Sequence, residues 1–325
     1  MSFLSRRLRR HSPRQRGAHD AEVDLRTRVG SVELPNPVMT ASGTAGHGAE
    51  LDGYFDLSSL GAVVVKSLSV APHAGNPPPR LYETPAGMLN SVGLQGPGIE
   101  AWLERDLPAL TACGARVVVS IWGLTVDDYA KASAMLAEAP EQVVAVEVNL
   151  SCPNLEGGRH LFAHSATTTA EVMAATEACR RPRWAKLSPN TSDLVLVAGA
   201  ALEAGAEALT LVNTVMGMAI DPVRRQFRLG AGGGGLSGPA IHPVAVRAVH
   251  QCRVAFPDTP IVGVGGVVGG QSAVELMVAG AHAVQVGTAT FAEPRAPVRV
   301  LEEVERWCRS HDVGRVVDLI GALQQ

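Results

Sequence analysis

Residues 143–154 read Val143-Val144-Ala145-Val146-Glu147-Val148-Asn149-Leu150-Ser151-Cys152-Pro153-Asn154. The short β-branched run that opens this stretch reads as a buried strand. Strand side chains alternate, so if Val144, Val146 and Val148 face a surrounding layer, Ala145, Glu147 and Asn149 point the other way. Pro153 disfavours a helical Cys152, and the chain leaves the strand as an extended loop. A thiol therefore follows a strand's C-terminal end, with the carboxamides of Asn149 and Asn154 on either side. The ordinary fate of a cysteine is to serve as small apolar filler. The polar neighbours of Cys152 favour an acid/base or nucleophile instead.

Outward from this strand the chain keeps a strand–helix rhythm. Strands are expected at Pro37–Ser42, Gly61–Leu68, Ala115–Trp122, Val143–Leu150, Arg183–Ser188, Ala208–Asn213, Ile261–Val267 and Ala283–Thr288. Helices are expected between them, among others at Val126–Ala137, Ser192–Ala204, Gln271–Ala279 and Pro297–Cys308. Gly205 and Gly280 stand where glycine ends a helix before a short αβ loop. Eight strands alternating with helices argue one α/β domain over residues 26–325, a (β/α)8 TIM barrel. A doubly wound sheet is the alternative, but Ala41-Ser42-Gly43-Thr44-Ala45-Gly46 is not the dinucleotide turn such a sheet would carry.

The composition agrees with that class. The 325 residues are 46% hydrophobic, and the 34 glycines suit many tight connections. A net charge of −3 gives no reason to expect nucleic acid. Residues 1–20 hold six arginines and one aspartate, so residues 1–25 read as a basic, disordered extension. No apolar run is long enough for a signal peptide or a membrane span. The five cysteines are widely spaced without a CxxC pair, which argues against a metal site and fits a reduced, cytoplasmic setting.

In a barrel, strand C-terminal ends surround one mouth. Ser42, Lys66, Ser120, Asn149, Lys186, Asn213, Gly265, Gly266, Gly287 and Thr288 all fall at such ends. Singly each is weak, and Lys186 and Glu147 could simply neutralise each other inside the barrel. Together they suggest a site. Two long connections, Ser69–Pro97 and Thr214–Gly238, would lie over it as binding loops or lids. The glycine run 230–235 reads equally well as a slack linker. The glycines closing the seventh and eighth strands suit a phosphate, with the helix beginning near Gly270 or Gln271 adding its positive end. No Walker or dinucleotide pattern appears, so a monophosphate group is expected. With a thiol base and two lysines, the set suits proton abstraction beside hydride transfer onto flavin mononucleotide (FMN).

Several segments resemble the class 1 dihydroorotate dehydrogenases. They are Ala41-Ser42-Gly43-Thr44, Gly75-Asn76-Pro77, Met88-Leu89-Asn90-Ser91-Val92-Gly93-Leu94-Gln95, Asn149-Leu150-Ser151-Cys152-Pro153-Asn154 and Lys186-Leu187-Ser188-Pro189-Asn190. Val212-Asn213-Thr214, Gly235-Leu236-Ser237-Gly238-Pro239-Ala240, Gly265-Gly266 and Val286-Gly287-Thr288 follow in order. The Leu-Ser-Pro-Asn and Gly-Leu-Ser-Gly-Pro segments are most similar to subclass B.

The resemblance implies oxidation of dihydroorotate to orotate in pyrimidine biosynthesis, with Cys152 as general base and FMN as cofactor. It implies that Ser42, Lys66, Ser67, Ser120, Asn149, Lys186, Val212, Gly238, Gly265, Gly266, Gly287 and Thr288 hold FMN. Lys66, Asn90, Ser91, Val92, Gly93, Leu94, Asn149, Asn213 and Thr214 would hold the substrate. It implies a homodimer core and a partner subunit carrying FAD and an iron–sulphur cluster. One position departs: Ser120 stands where the family has an asparagine that contacts the flavin. The rival readings are a related FMN barrel for another dihydropyrimidine, and a non-redox phosphate-sugar enzyme with Lys66 or Lys186 as a Schiff-base lysine.

Overall fold

A computed structural model describes residues 22–151 and 162–324. Eight parallel strands form one sheet: β1 (Val38–Thr40), β2 (Val63–Val64), β3 (Val117–Ile121), β4 (Val143–Asn149), β5 (Arg183–Leu187), β6 (Ala208–Leu211), β7 (Ile261–Val264) and β8 (Ala283–Val286). Their order is β1-β8-β7-β6-β5-β4-β3-β2. Between β1 and β2, Gly61 N–H donates to Val38 O at 2.8 Å and Thr40 N–H to Ala62 O at 3.3 Å. These bonds bring the two ends of the sheet together, giving the (β/α)8 barrel that the strand–helix rhythm implies.

The four expected helices are present at Val126–Met135, Leu194–Glu203, Gly270–Ala279 and Ala296–Ser310. Ala166–Ala175 and His242–Ala255 are helices that the sequence reading does not name. Capping explains where several begin. Thr125 and Asp128 form a capping box at Val126, and Asp193 accepts from Leu196 N–H ahead of Leu194.

The inward and outward alternation of β4 is present, with one interruption. Val146 and Val148 join the layer between strands and helices, whereas Ala145 belongs to the barrel's inner cluster with Met39, Val64, Val118, Trp184, Ala208, Val262 and Ala283. Val117 pairs with Val143 and Val118 with Ala145, so Val144 is an extra residue in the ladder. Val144 consequently packs against the inner cluster instead of siding with Val146 and Val148. A hairpin of Thr27–Val29 and Val32–Leu34 adds Val29, Val32 and Leu34 to that cluster and plugs the barrel's N-terminal end.

Val23 is buried, and Asp24 exchanges backbone hydrogen bonds with Gly314 and Val316, each 2.9 Å. The packed body therefore already includes these two residues. Residues 1–21, most of the expected basic extension, lie outside the described residues. Among the described residues no helix is long and apolar enough to cross a membrane.

The two long connections pair with each other. Val215–Met218, Gly233–Ser237, Gly87–Asn90 and Leu81–Thr84 form a four-stranded antiparallel sheet in that order. This corrects the linker reading of the glycine run, part of which is a strand inside the sheet. A Cβ on Gly234 would sit 2.3 Å from Asn90 O, and one on Gly235 would sit 2.1 Å from Thr214 Oγ1. Glycine is there because the Asn90 backbone at Gly234 and the Thr214 side chain at Gly235 come too close for another side chain.

Candidate active site

Beneath this roof, at the C-terminal ends of the barrel strands, lies a cavity of about 290 Å³. Its wall holds Ser42, Lys66, Ser67, Asn149, Lys186, Val212, Gly238, Gly265, Gly266, Gly287 and Thr288, with residues 90–94, Asn213 and Thr214. The expected cofactor and substrate residues are thus gathered at one place, with two exceptions. Cys152 lies outside the described residues, although Ser151, directly before it, lines the cavity. Ser120 is fully buried and does not reach the wall; its hydroxyl is 2.9 Å from Ser67 Oγ. Ser67, which does line the cavity, stands between Ser120 and the wall.

Charge at the floor is arranged by strand parity. Lys186 on β5 and Glu147 on β4 both point inward, and Lys186 Nζ donates to Glu147 Oε1 at 3.2 Å. Gln285 on β8 donates its Nε2 to the other carboxylate oxygen at 2.8 Å. Glu147 is wholly buried, so both oxygens need these donors. The pair does neutralise itself, and Lys186 still presents a face to the cavity. Lys66 Nζ lies beside Gly43, where an added Cβ would come within 3.4 Å. Burial, with a contribution from the Lys66 charge, holds the His47 imidazole below its ordinary value against the pull of Asp106 and Glu50.

The carboxamides are oriented by backbone groups. Asn149 Oδ1 accepts from Ser151 N–H at 3.2 Å and from Asn213 Nδ2 at 3.1 Å. Tyr129 OH donates to Asn149 O at 2.6 Å. Asn190 ties the end of β5 to the roof, donating Nδ2 to Thr214 O and accepting Met216 N–H, each at 2.9 Å. Its place in the quoted Lys186–Asn190 segment marked it, but not as a brace. Other wall residues escaped the sequence reading. Phe291 and Ile241 carry no polar signal, and Ser237, within the Gly235–Ala240 segment but given no role there, accepts from Thr288 Oγ1 at 2.8 Å.

Protein groups also engage amides around the start of the helix Gly270–Ala279. Gly270 N–H donates to Glu303 Oε2 at 2.7 Å, while Val268 and Gly269 N–H donate to Ser272 Oγ at 3.0 and 3.1 Å. The first amide of Gly270–Ala279 is thus taken by a protein carboxylate, while Val267 and Val268, just before the helix, line the cavity. The glycines themselves remain. Gly266 has φ +68°, and a Cβ there would meet His242 Cβ at 2.6 Å. That close approach leaves backbone, with no side chain, facing an occupant.

Four of the five cysteines are described, and they fit the apolar-filler reading. Cys179, Cys252 and Cys308 are buried in the outer core; burial pushes the Cys252 thiol up to about 12 and that of Cys308 to about 11. Among the described residues no group of His, Cys, Asp and Glu is arranged to hold a metal ion.

The residues present fit a flavin monophosphate. Backbone at Gly265–Gly266 and Gly287–Thr288 can take an anion, two lysines can face an electron-rich ring, and Ser91 Oγ and Ser151 Oγ are buried at the wall without a partner among the described residues. Their geometry defines a class, that of a barrel enzyme working on a small molecule beside a phosphorylated group. The family model "Dihydroorotate dehydrogenase" matches residues 24–307. A relative from Pelobacter propionicus, "Dihydroorotate dehydrogenase B (NAD(+)), catalytic subunit", is 46% identical over 302 residues, covering 93% of this chain and 99% of its own length. A protein of the same description from Geobacter sp. (strain M21) is also 46% identical, with 93% and 98% covered. The chain belongs to the dihydroorotate dehydrogenase family, and it is an oxidoreductase.

Proposed function

We propose that the chain oxidises (S)-dihydroorotate to orotate in the de novo synthesis of UMP, with FMN as the group held in the cavity. The observation that carries this reading is the convergence of Lys66, Asn149, Lys186, Asn213 and residues 90–94 on one cavity in a chain of this family. Bound FMN would supply a two-electron acceptor for the C6 hydride. Cys152, adjacent in the chain to a wall residue, takes the C5 proton, so that a C5–C6 double bond forms as the two hydrogens leave. The Asn90–Leu94 strand end and loop, Asn149, Asn213 and Thr214 hold the substrate ring and carboxylate. Lys66 balances negative charge on both bound molecules. Gly265–Gly266 and Gly287–Thr288 hold the phosphate through backbone N–H groups.

The purified protein is expected to be yellow and to release FMN, not FAD, on denaturation. Anaerobic addition of dihydroorotate should bleach it. Release of FAD would contradict the monophosphate cradle, and a colourless protein after reconstitution would support the non-redox barrel instead. Bleaching by dihydrouracil but not dihydroorotate would move the reading to another dihydropyrimidine.

Lys66→Ala should slow flavin reduction and weaken orotate binding together, because one cation serves both. A lost charge-assisted contact costs about 1.5–3 kcal/mol, or roughly 10- to 150-fold. Titration of orotate into flavin-loaded variant protein measures it, and an unchanged affinity would remove Lys66 from the substrate site.

A partner subunit carrying FAD and an iron–sulphur cluster would pass the electrons to NAD. The relatives' description as the catalytic subunit of an NAD-linked enzyme supports this. The isolated chain should accordingly reduce its flavin with dihydroorotate yet reduce NAD poorly. Rapid NAD reduction by the chain, free of co-purifying protein, would remove the need for a partner.

A further inference from the structure

A line of side chains runs along the cavity wall through Asn213, Asn149, Ser67 and Ser42, with Ser120 behind it. Backbone amides at one end of the line give its hydrogen bonds a direction. Thr214 N–H donates to Asn213 Oδ1 at 2.8 Å, which turns Asn213 Nδ2 toward Asn149 Oδ1. Ser151 N–H donates to the same Asn149 oxygen. Backbone N–H groups can only donate, so the Asn149 amide is fixed with its Nδ2 toward Ser67 Oγ, 3.3 Å away.

Ser67 Oγ also lies 2.9 Å from Ser120 Oγ and 3.2 Å from Ser42 Oγ. A hydroxyl has one proton and two lone pairs. Asn149 takes one lone pair, so of Ser120 and Ser42 one must donate to Ser67 and the other must accept from it. Ser120 is fully buried, and Ser67 is the partner of its side chain. If Ser120 accepted, its own proton would be stranded in the interior, an arrangement that buried hydroxyls avoid. The order is therefore Ser120 to Ser67 to Ser42. Ser42 spends one lone pair on Ser67 and none of its proton, so its O–H is left free to point into the cavity.

We infer that Ser120 is a positioning residue: through Ser67 it leaves the Ser42 proton free, so the wall at Ser42 offers a hydrogen-bond donor to an acceptor atom on the bound group. The residue that departs from the family pattern thus acts without touching the ligand. The Ser120 hydroxyl closes the only alternative direction of the chain. Without it, Ser67 and Ser42 can reverse, and Ser42 presents donor and acceptor alternately.

Neutron diffraction from crystals of the full chain grown in D₂O tests this directly. The expected result is a deuteron on Ser120 aimed at Ser67, one on Ser67 aimed at Ser42, and one on Ser42 aimed into the cavity. A Ser67 deuteron aimed at Ser120 would overturn the inference. This measurement needs no bound flavin, so it separates the inference from the proposed function, on which only the second arm rests. In that arm, FMN affinity is measured for Ser120→Ala, Ser42→Ala and the double variant. Each single change should weaken binding roughly two- to tenfold, the range of one lost or disordered hydrogen bond. The double variant should be no weaker than Ser42→Ala alone. Additive losses would show that Ser120 acts by another route, as plain packing would.

Discussion

Cys152→Ser is expected to retain FMN and orotate yet reduce its flavin with dihydroorotate roughly 10²- to 10⁴-fold more slowly than the wild type. That is the usual loss when a general base is removed. A thiol has an unperturbed pKa of about 8.5, so it is mostly protonated near neutrality and must lose a proton before it can accept one from C5. Flavin reduction in the wild type should therefore quicken as pH rises toward the pKa of the site, then level off. Serine nearly preserves the shape but ionises far less readily, and its rate should climb without a plateau over the accessible range. Anaerobic stopped-flow at several pH values measures both curves. A Cys152→Ser variant that reduced its flavin at the wild-type rate would place the base elsewhere. The other thiols offer no easy substitute, since Cys252 and Cys308 are buried with thiols held well above the ordinary value.

The second large effect is on stability. Glu147→Gln keeps the size of the side chain but removes the charge that faces Lys186 Nζ inside the barrel. Breaking a buried pair from one side leaves an uncompensated charge and costs about 3–5 kcal/mol. Urea unfolding of the flavin-free protein should show that loss as a lower midpoint with an unchanged slope. Removing both charges, as in Glu147→Gln with Lys186→Met, should recover most of it, because a neutral interior carries no orphan ion. If Glu147→Gln unfolded at the wild-type midpoint, the ion pair would contribute nothing to the fold. Gln285 would then be the group that matters to the floor.

These two residues also show what the sequence makes legible. Glu147 lies two places before Asn149 on a strand, so parity alone turns both inward, and Lys186 follows from the same reasoning on the next strand. The strand ends were readable because β-branched runs stop at polar or glycine residues. What parity cannot give is a partner distant in the chain. Gln285 completes the Glu147 carboxylate from β8, and Glu303 takes the Gly270 N–H that a phosphate was expected to use. Nothing local to Gly270 announces that carboxylate. The extra residue at Val144 was hidden for a related reason, since a bulge is a property of two strands in register and only one strand was being read. The glycine run misled in the opposite sense: its composition is that of a flexible segment, yet its place is fixed by the backbone pressed against it.

The roof over the cavity also bears on how the chain reaches its native state. Its central pairing joins Asn90 to Gly235, 145 residues apart, and Met88 to Ser237, 149 residues apart. Contacts of such long separation form slowly, because the intervening chain must be ordered before they repay the entropy of closing the loop. Here the intervening chain holds half of the barrel's strands, β3 through β6. The Gly233–Ser237 strand therefore docks on Gly87–Asn90 after β3 through β6 have formed, and a nascent chain that ends before Gly233 lacks that pairing. Backbone amides of Gly87–Asn90 and Gly233–Ser237 should gain protection from hydrogen exchange after those of β3–β6 during refolding. Binding competence is thus withheld until the barrel strands between the two connections are in place.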